Sequence, residues 1–315
     1  MAHEVNDVAP SSIGHIVGQR GVVEQVKVAL DAAFADNRKF DNALLVGPPG
    51  CGKSALAAVI AAEMATDFIE VLGQSITGPA DLNALLLRAT EKAVVHIDEA
   101  HELRKDFQTA LYLAIDKRTI IVGSKHGSPQ GIPIANFTLL LSTTDEFDLL
   151  APLRDRQRLI LRFQFYSVEE LTLLLQQRCR ALGWTVQDEL LVLIAQRSRG
   201  TPRLALRLLQ ASHRVCRAEG HDKITLKHLR RACDLEQLDE LGLGPTEQQY
   251  IRLLSIADSR LNVLASALGL PTRTLSQVIE PFLIRAGLVT KDDQGRRQLT
   301  ALGHKQVSQK RPVSV

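Results

Sequence analysis

Short apolar runs alternate with stretches of helical periodicity in the first half of the chain. The runs are NALLVG (42–47), AVVHID (93–98) and FTLLLST (137–143), and a helical pattern covers residues 53–65. Buried runs that are separated by amphipathic helices are typical of a parallel β-sheet with helices on both faces. We therefore predict an α/β fold with a parallel sheet for this half.

Helical periodicity dominates from Ser167 onward. Four segments place apolar residues three and four positions apart, and several begin with Ser, Thr or Asp followed by acidic residues, as helix N-termini often do. These segments are SVEELTLLLQQRCRAL, QDELLVLIAQRS, TPRLALRLLQASHRVCRAE and TLKHLRRACDLEQL. They predict a small all-helical domain after the sheet.

The last part of the chain predicts a third module. The segment LGLGPTE (241–247) holds two glycines and a proline, which is typical of a boundary. Two or three helices follow it, and GLVTKDDQGRRQLTALG then predicts a two-stranded hairpin around DDQG. Helices followed by such a hairpin favour a winged-helix module. The final GHKQVSQKRPVSV is predicted to be a mobile tail.

Composition narrows the class of protein. Hydrophobic residues make up 45% of the 315 residues and charged residues 23%, as in ordinary soluble globular proteins. No apolar run reaches the roughly 18 residues that span a bilayer, and the N-terminus lacks the pattern of a secretory signal. The four scattered cysteines include no CxxC pair, which favours reduced thiols, a cytoplasmic location and no structural zinc.

Charge is spread unevenly along the chain. The formal net charge is +3, yet residues 240–315 hold 10 Lys and Arg against 6 Asp and Glu. An excess of positive charge at this end is a weak indication of an anionic partner. A solvated surface with no binding role is the alternative.

The segment GPPGCGKS (47–54) fits the pattern GxxxxGK[ST] without a mismatch. It follows an apolar strand and opens a helix, which is the context that a phosphate-binding loop requires. Its glycines let backbone N–H groups turn around phosphate oxygens, and the helix adds its positive end. A glycine-rich turn that matches by chance is the alternative. The residues predicted to bind nucleotide here are Gly47, Pro48, Pro49, Gly50, Cys51, Gly52, Lys53, Ser54 and Ala55.

The segment VVHIDEAH supplies a matching acidic pair. Asp98 ends an apolar strand, where ligands bind in open α/β sheets. We expect Lys53 to contact the β- and γ-phosphates of ATP, and Ser54 and Asp98 to hold Mg²⁺. Glu99 is expected to orient or deprotonate the attacking water. An acidic N-cap on the next helix is the alternative, and His96 is expected to be a packed side chain.

Further segments resemble a known family. LLLSTTD, PLRDR and RGTPRLALRLL follow the phosphate loop in the order found in AAA+ ATPases. GPPGCGKS, IDEAHEL, PLRDR, FYSVEEL, RGTPRLALRLL and IEPFLIRAGLV resemble the RuvB family, the bacterial ATPases that drive branch migration of Holliday junctions in DNA recombination and repair. The resemblance runs from about residue 16 to about residue 303. It implies an AAA+ P-loop domain (1–164), a helical lid (165–240), a winged-helix domain (241–307) and a tail (308–315).

The resemblance also assigns roles to single residues. Thr144 matches the sensor-1 threonine, Tyr166 the tyrosine against the nucleotide, and Arg203 the sensor-2 arginine. Arg156 matches the arginine finger that enters the neighbouring subunit's site, which implies a ring, of six subunits in this family. An ion pair between Asp155 and Arg154 or Arg156 is the alternative for that segment. In the wing, Lys291 and Arg296 match basic positions that contact DNA, and residues 119–134 match a hairpin that docks the RuvA protein.

Some positions depart from the family. The stretch VAPSSIGHIVGQ lacks the usual Arg-Pro pair near the adenine, Arg158 stands where a glycine is usual, and Gln294 replaces a common basic residue. The leading hypothesis is an ATP-driven DNA translocase that acts on duplex DNA or a four-way junction. A non-motor ATP switch of the signalling type and a clamp-loader or initiator-like AAA+ protein are the alternatives.

Overall fold

The computed structural model describes residues 4–5, 8–124 and 127–308. Their contacts divide the chain into two compact units. The first contains the residues up to Gly183 together with Gly200–Arg207, and the second contains Trp184–Arg199 together with the residues from Leu208 onward. Within the described ranges, no helix is both long and apolar enough to cross a lipid bilayer.

A five-stranded parallel sheet forms the centre of the first unit. Its strands are β1 (Ala43–Val46), β2 (Phe68–Leu72), β3 (Val94–Asp98), β6 (Thr138–Thr143) and β7 (Leu159–Arg162). They lie in the order β2-β3-β6-β1-β7, and all neighbours are parallel. Every residue of β6 is buried, as expected for a central strand that is covered on both faces. The three predicted strands are confirmed, and the two edge strands β2 and β7 are additions to the prediction.

Helices cover this sheet. They are α1 (Arg20–Ala35), α2 (Lys53–Glu63), α3 (Pro79–Arg88), α4 (Lys105–Lys117) and α5 (Ala151–Arg154), with 3₁₀ turns at Ile13–His15, Gly73–Ser75, Ala100–Glu102 and Glu146–Asp148. The next helix along the chain is α6 (Val168–Leu182). Leu82 and Leu86 of α3 and Leu111 of α4 pack on Val95 and Leu139 of the sheet in one apolar core. This packing fixes the carboxyl ends of β1 and β3, where the predicted site residues lie.

The first unit also contains a separate hairpin. Its strands are β4 (Thr119–Ser124) and β5 (Gly127–Pro133), which pair antiparallel from Thr119 opposite Pro133. They form a two-stranded sheet of their own rather than extending the parallel sheet. The hairpin expected within residues 119–134 is thus present, and Ile121 on β4 is 63% exposed.

The four predicted lid helices are confirmed. After α6 they are α7 (Asp188–Arg197), α8 (Pro202–Ala218) and α9 (Leu226–Leu235). The expectation of an all-helical domain needs one correction, because β8 (Thr185–Val186) and β9 (Lys223–Ile224) pair as a short parallel ladder in the second unit. Two-residue strands carry too little periodicity to be detected from sequence.

The C-terminal module is a winged helix. Its elements are α10 (Pro245–Ile256), α11 (Leu261–Leu268), α12 (Thr272–Thr274), a π-helical turn (Leu275–Ile279), α13 (Glu280–Arg285), β10 (Val289–Lys291), β11 (Arg297–Leu299) and α14 (Ala301–Ser308). Tyr250, Leu264, Leu275, Leu283 and Leu288 belong to its buried core. Strands β10 and β11 pair antiparallel around the DDQG turn, as predicted.

The predicted tail begins too early. Residues 303–308 belong to α14 rather than to a mobile segment. Gly303 explains the close packing of this helix, because a Cβ at that position would lie 2.2 Å from the Leu288 carbonyl oxygen. The remaining tail, 309–315, lies outside the described residues.

Candidate nucleotide site

The phosphate loop connects β1 to the start of α2. Gly50 has φ +76°, and a Cβ there would lie 2.9 Å from Cβ of Arg203. At Gly47 (φ +153°), a Cβ would lie 2.6 Å from the Phe163 carbonyl oxygen. Only glycine fits such a left-handed, crowded backbone without strain. The loop therefore holds its N–H groups at the amino end of α2, where an anion is stabilised.

Lys53 is the first residue of α2 and is 6% exposed. Its Nζ donates hydrogen bonds to the carbonyl oxygens of Gly47 at 2.8 Å and Pro48 at 3.0 Å. Burial lowers the pKa of the ammonium group, and the carboxylates of Glu99 and Asp98 oppose that shift. The loop thus holds a buried cation among carbonyl groups, in reach of the cavity that it lines.

Ser54 and Asp98 meet across the carboxyl ends of β1 and β3. The Ser54 hydroxyl donates a hydrogen bond to Oδ2 of Asp98 at 2.9 Å, and Oδ1 of Asp98 accepts one from the backbone N–H of Glu99 at 3.0 Å. A hydroxyl and a carboxylate form the oxygen donor set that Mg²⁺ prefers. The structure therefore brings together the two residues predicted to hold that ion.

Glu99 has a left-handed backbone, with φ 49° and ψ 48°. Such a conformation is strained in a residue other than glycine and persists where the surroundings hold it. Gly73 is one of these surroundings, because a Cβ there would lie 2.6 Å from the Glu99 carbonyl oxygen. Gly73 could not be recognised from the sequence, since an isolated glycine after a strand carries no specific signal.

Tyr166 and Arg203 also approach the phosphate loop. The buried Tyr166 lies with its Oη 3.5 Å from the Cys51 carbonyl oxygen, and burial raises the pKa of its phenol. The backbone N–H of Arg203, in the first turn of α8, donates to the Gly50 carbonyl oxygen at 3.3 Å. Both residues line the same cavity as the phosphate loop.

That cavity has a volume of about 500 Å³, a size typical of small-ligand sites. Its polar lining includes Lys53, Ser54, Asp98, Glu99 and Arg203. Its apolar lining includes Val8, Pro10, Ile16, Val17 and Leu174. The apolar lining from residues 8–17 has no signal in the sequence, because these residues form no regular strand or long helix.

Cys51, Thr144 and Arg156 do not line this cavity. Cys51 is fully buried, which agrees with a packed filler rather than an exposed reactive thiol. Thr144 is exposed just after β6, whereas its neighbour Thr143 is buried. Arg156 pairs with Asp116 and lies over the Tyr112 ring, 4.7 Å from its centroid. The ion pair expected as the alternative for Arg156 therefore forms with Asp116 rather than with Asp155.

The basic residues of the wing are also paired. Lys291 lies 3.1 Å from the buried carboxylate of Glu280, and Arg296 lies 2.8 Å from that of Asp292. Arg297 donates two hydrogen bonds to Glu280 and its side chain is only 12% exposed. Lys291 and Arg296, each 44% exposed, remain within reach of solvent. The wing thus presents two accessible cations and one that belongs to its core.

The fold and the site together define an AAA+ ATPase. A parallel sheet carries a phosphate loop after β1 and an Asp-Glu pair after β3, and α8 brings an arginine to the same cavity. Three family models match in succession: the Holliday junction DNA helicase RuvB P-loop domain over residues 8–163, the RuvB AAA lid domain over 166–239, and the RuvB C-terminal winged helix domain over 240–308. The chain belongs to the RuvB family.

Individual relatives agree with this assignment. The chain is 35% identical to the Holliday junction branch migration complex subunit RuvB of Kosmotoga olearia, over 91% of this chain and 86% of the relative. It is 36% identical to the subunit of the same name from Saccharopolyspora erythraea, over 91% and 83%. The solved Thermotoga maritima RuvB Holliday junction branch migration motor superposes with a TM-score of 0.82 at 32% identity, covering 96% of this chain and 99% of that one.

Proposed function

We propose that this protein uses ATP hydrolysis to drive branch migration of Holliday junctions in DNA recombination and repair. The observation that carries the proposal is the convergence of Lys53, Ser54, Asp98, Glu99 and Arg203 on one cavity, in a chain that RuvB models match from residue 8 to residue 308. We place the domain boundaries at 1–164, 165–240 and 241–307, with the tail after them.

The cavity has both a polar and an apolar lining, which suits the phosphates and the base of ATP. The loop N–H groups and Lys53 bind the β- and γ-phosphates, and Arg203 adds positive charge that phosphoryl transfer requires. The apolar lining takes the base, and Tyr166 lines the same cavity. Glu99 orients the attacking water and accepts its proton. Ser54 and Asp98 would hold Mg²⁺, which neutralises phosphate charge when bound.

A ring of subunits completes the site. We propose that Arg156 serves the neighbouring subunit, since it lies away from the cavity of its own chain, and that Thr144 responds to the γ-phosphate. Guanidinium charge from a neighbour stabilises the transition state and makes hydrolysis depend on assembly. The assembly is a homo-oligomer, proposed to be a hexamer that encircles DNA in the cytoplasm.

The DNA and protein contacts are proposed for two other surfaces. Lys291 and Arg296 would contact phosphates without reading sequence, which suits a motor that moves along any duplex. The β4–β5 hairpin would dock a RuvA-like protein, and the exposed Ile121 on β4 offers an apolar contact there.

A branch-migration assay tests the proposal. Purified protein, ATP, Mg²⁺ and a RuvA-like protein are mixed with a synthetic four-way junction whose arms carry fluorophores, and the release of two duplexes is followed. We expect release with the wild-type chain and none with Lys53→Ala. ATP turnover is measured in parallel with the junction and with a linear duplex of equal length. If neither DNA changes ATP turnover and the junction releases no duplexes, the results would instead favour a non-motor ATP switch.

A further inference from the structure

His101 lies next to the candidate catalytic glutamate. It belongs to the 3₁₀ turn Ala100–Glu102, and its side chain is 18% exposed. Its Nδ1 lies 3.5 Å from Oε2 of Glu99 and 3.1 Å from the hydroxyl oxygen of Thr143, the last residue of β6. One ring nitrogen therefore faces both the glutamate after β3 and the end of the adjacent strand.

The hydrogen bonds of Thr143 identify where the proton on this ring lies. The Thr143 hydroxyl donates to the carbonyl oxygen of Asp145 at 2.9 Å, and the Thr143 hydroxyl oxygen accepts the backbone N–H of Asp145 at 3.0 Å. Its single proton is thus used, so toward His101 the hydroxyl oxygen accepts. An ionised carboxylate on Glu99 also only accepts. We therefore assign a proton to Nδ1 of His101, which donates to the Thr143 hydroxyl oxygen at 3.1 Å and lies 3.5 Å from the Glu99 carboxylate.

We propose that His101 is a positioning residue for ATP hydrolysis. Its Nδ1–H holds the Glu99 carboxylate in one orientation and ties it to the turn that follows β6. Thr144 lies on that turn, between the two residues that bond each other there. A shift of the turn on γ-phosphate contact would therefore change the orientation of Glu99. This inference rests on the role proposed above for Glu99.

The geometry of amide side chains provides a matched pair of variants. The amide of asparagine reaches the position of Nδ1, whereas the longer glutamine places its amide near Nε2. In His101→Asn a donor toward Glu99 and Thr143 is kept, and in His101→Gln it is displaced. Both changes replace the ring with a neutral polar group, so any general weakening of packing affects them alike.

Steady-state ATP turnover without DNA, together with ATP affinity, tests the proposal. For His101→Gln and His101→Ala we expect kcat to fall about tenfold, because a misoriented Glu99 loses part of the rate enhancement that a general base provides. KM and ATP affinity should stay within about twofold of wild type. His101→Asn should recover most of kcat. Glu102→Gln removes a carboxylate 3.7 Å from Nε2 and is the control expected to keep wild-type kcat. Melting temperatures of all variants are compared.

Specific outcomes would overturn the inference. Wild-type kcat in both His101→Gln and His101→Ala would overturn it. Equal losses of kcat in His101→Asn and His101→Gln, or a change in KM without a change in kcat, would also overturn it. Glu99→Gln is measured alongside. If Glu99→Gln turns over ATP normally, the proposed role of Glu99 fails; if it is inactive while His101→Gln is normal, only the role of His101 fails.

Discussion

Arg156 and Asp116 form an ion pair in which Nε lies 2.7 Å from Oδ2. The Arg156 Nη1 also donates to the Pro152 carbonyl oxygen at 2.6 Å. The guanidinium is therefore held by its own chain and does not line the cavity. A partly exposed pair of this kind contributes little to stability, so the exchange of Asp116 for a neighbour's phosphate, as proposed for Arg156, would have a low cost.

Arg156→Ala should leave nucleotide binding intact and lower turnover by roughly 10³-fold or more, because a trans-acting guanidinium is needed only in the transition state. ATP affinity and steady-state turnover are the measurements. Mixing Arg156→Ala with Lys53→Ala subunits should restore part of the activity, since each supplies what the other lacks. Arg154→Ala is the matched control, and wild-type turnover in Arg156→Ala would shift the role to Arg154.

Lys53→Ala should lower ATP turnover by more than about 100-fold, because its ammonium group is the buried cation of the phosphate loop. Lys53→Arg retains the charge but alters its shape and should also be impaired. Nucleotide binding is measured by fluorescence of a labelled ATP analogue and turnover by phosphate release. Normal turnover in the alanine variant would show that the loop does not hold the transferred phosphate.

Gly73→Ala should lower kcat by about 10- to 100-fold, because the added Cβ displaces the backbone of Glu99 and misplaces the carboxylate. KM for ATP should change little, since the added Cβ meets the backbone of Glu99 and Leu103 rather than the phosphate loop. Gly21→Ala is the control, because a Cβ at that position meets no atom within 4 Å. Equal kcat values in the two variants would mean that the backbone at Glu99 tolerates the shift.

The wing hairpin holds two exposed cations, Lys291 and Arg296, and one largely buried cation, Arg297. Replacing Lys291 and Arg296 together with alanine should make the dependence of DNA affinity on salt shallower by about two units, one for each phosphate that the wing no longer neutralises. Affinity should fall alike for all duplex sequences, and ATP turnover without DNA should not change. Lys227→Ala, an exposed lysine on α9, is the control. Identical salt dependence in the double variant and the wild type would exclude the wing as the DNA-contacting surface.

Arg297→Ala should lower the stability of the protein. Arg297 is paired with Glu280, whose side chain is 1% exposed, so its removal leaves a buried carboxylate short of partners. Breaking such a pair costs about 3 kcal/mol or more. We expect a lower melting temperature for Arg297→Ala and little change for Arg296→Ala. Equal melting temperatures would show that Tyr250 and Lys291 suffice to satisfy Glu280.

His228 should make the stability of the second unit depend on pH. Its Nδ1 accepts the backbone N–H of Thr225 at 3.0 Å, which closes the capping box of α9, and burial lowers its pKa. The neutral form is therefore favoured on folding. The stabilisation that neutral His228 provides is complete above the pKa of histidine in the unfolded chain, about 6.5. It is lost as pH falls through the lower pKa of His228 in the folded chain.

The test compares melting temperatures at several pH values for wild type and His228→Gln. Glutamine is a usual capping-box residue at this helix position, because its flexible side chain can bend back to accept the backbone N–H of Thr225, and it does not titrate. The variant should lose less stability than wild type on acidification below about pH 6.5. His221→Gln controls for the neighbouring ring, whose Nδ1 lies 3.1 Å from Nε2 of His228. Parallel pH curves for wild type and His228→Gln would contradict the prediction.

The sequence predicted those features whose physical signal is local. The phosphate loop requires three glycines, a lysine and a hydroxyl at fixed spacing, and Asp98 requires an apolar strand before it, so both can be recognised without coordinates. The lid helices and the wing hairpin likewise carry periodicity and turn residues. Ser54 and Asp98, predicted from two separate motifs, indeed lie within hydrogen-bond distance.

Features that depend on distant residues could not be predicted in this way. Strand β2 lies at the sheet edge and is only partly buried, so its sequence FIEVL lacks the apolar run that identified the central strands. The pairing of Arg156 with Asp116 joins residues 40 positions apart. The requirement for glycine at position 73 arises from a carbonyl group that only the folded chain brings there. Composition and spacing do not encode such long-range proximity in a readable form.

The position of β1 in the sheet has a consequence for synthesis of the chain. Its two neighbours are β6 and β7, with Ala43 opposite Leu140 and Leu159. During translation β1 therefore emerges from the ribosome long before either partner exists. At about 5–20 residues per second, the delay before β6 appears is roughly 5–20 s. Throughout that interval the apolar segment that precedes the phosphate loop is unpaired, so a nascent chain should need protection by a chaperone until residue 162 has emerged.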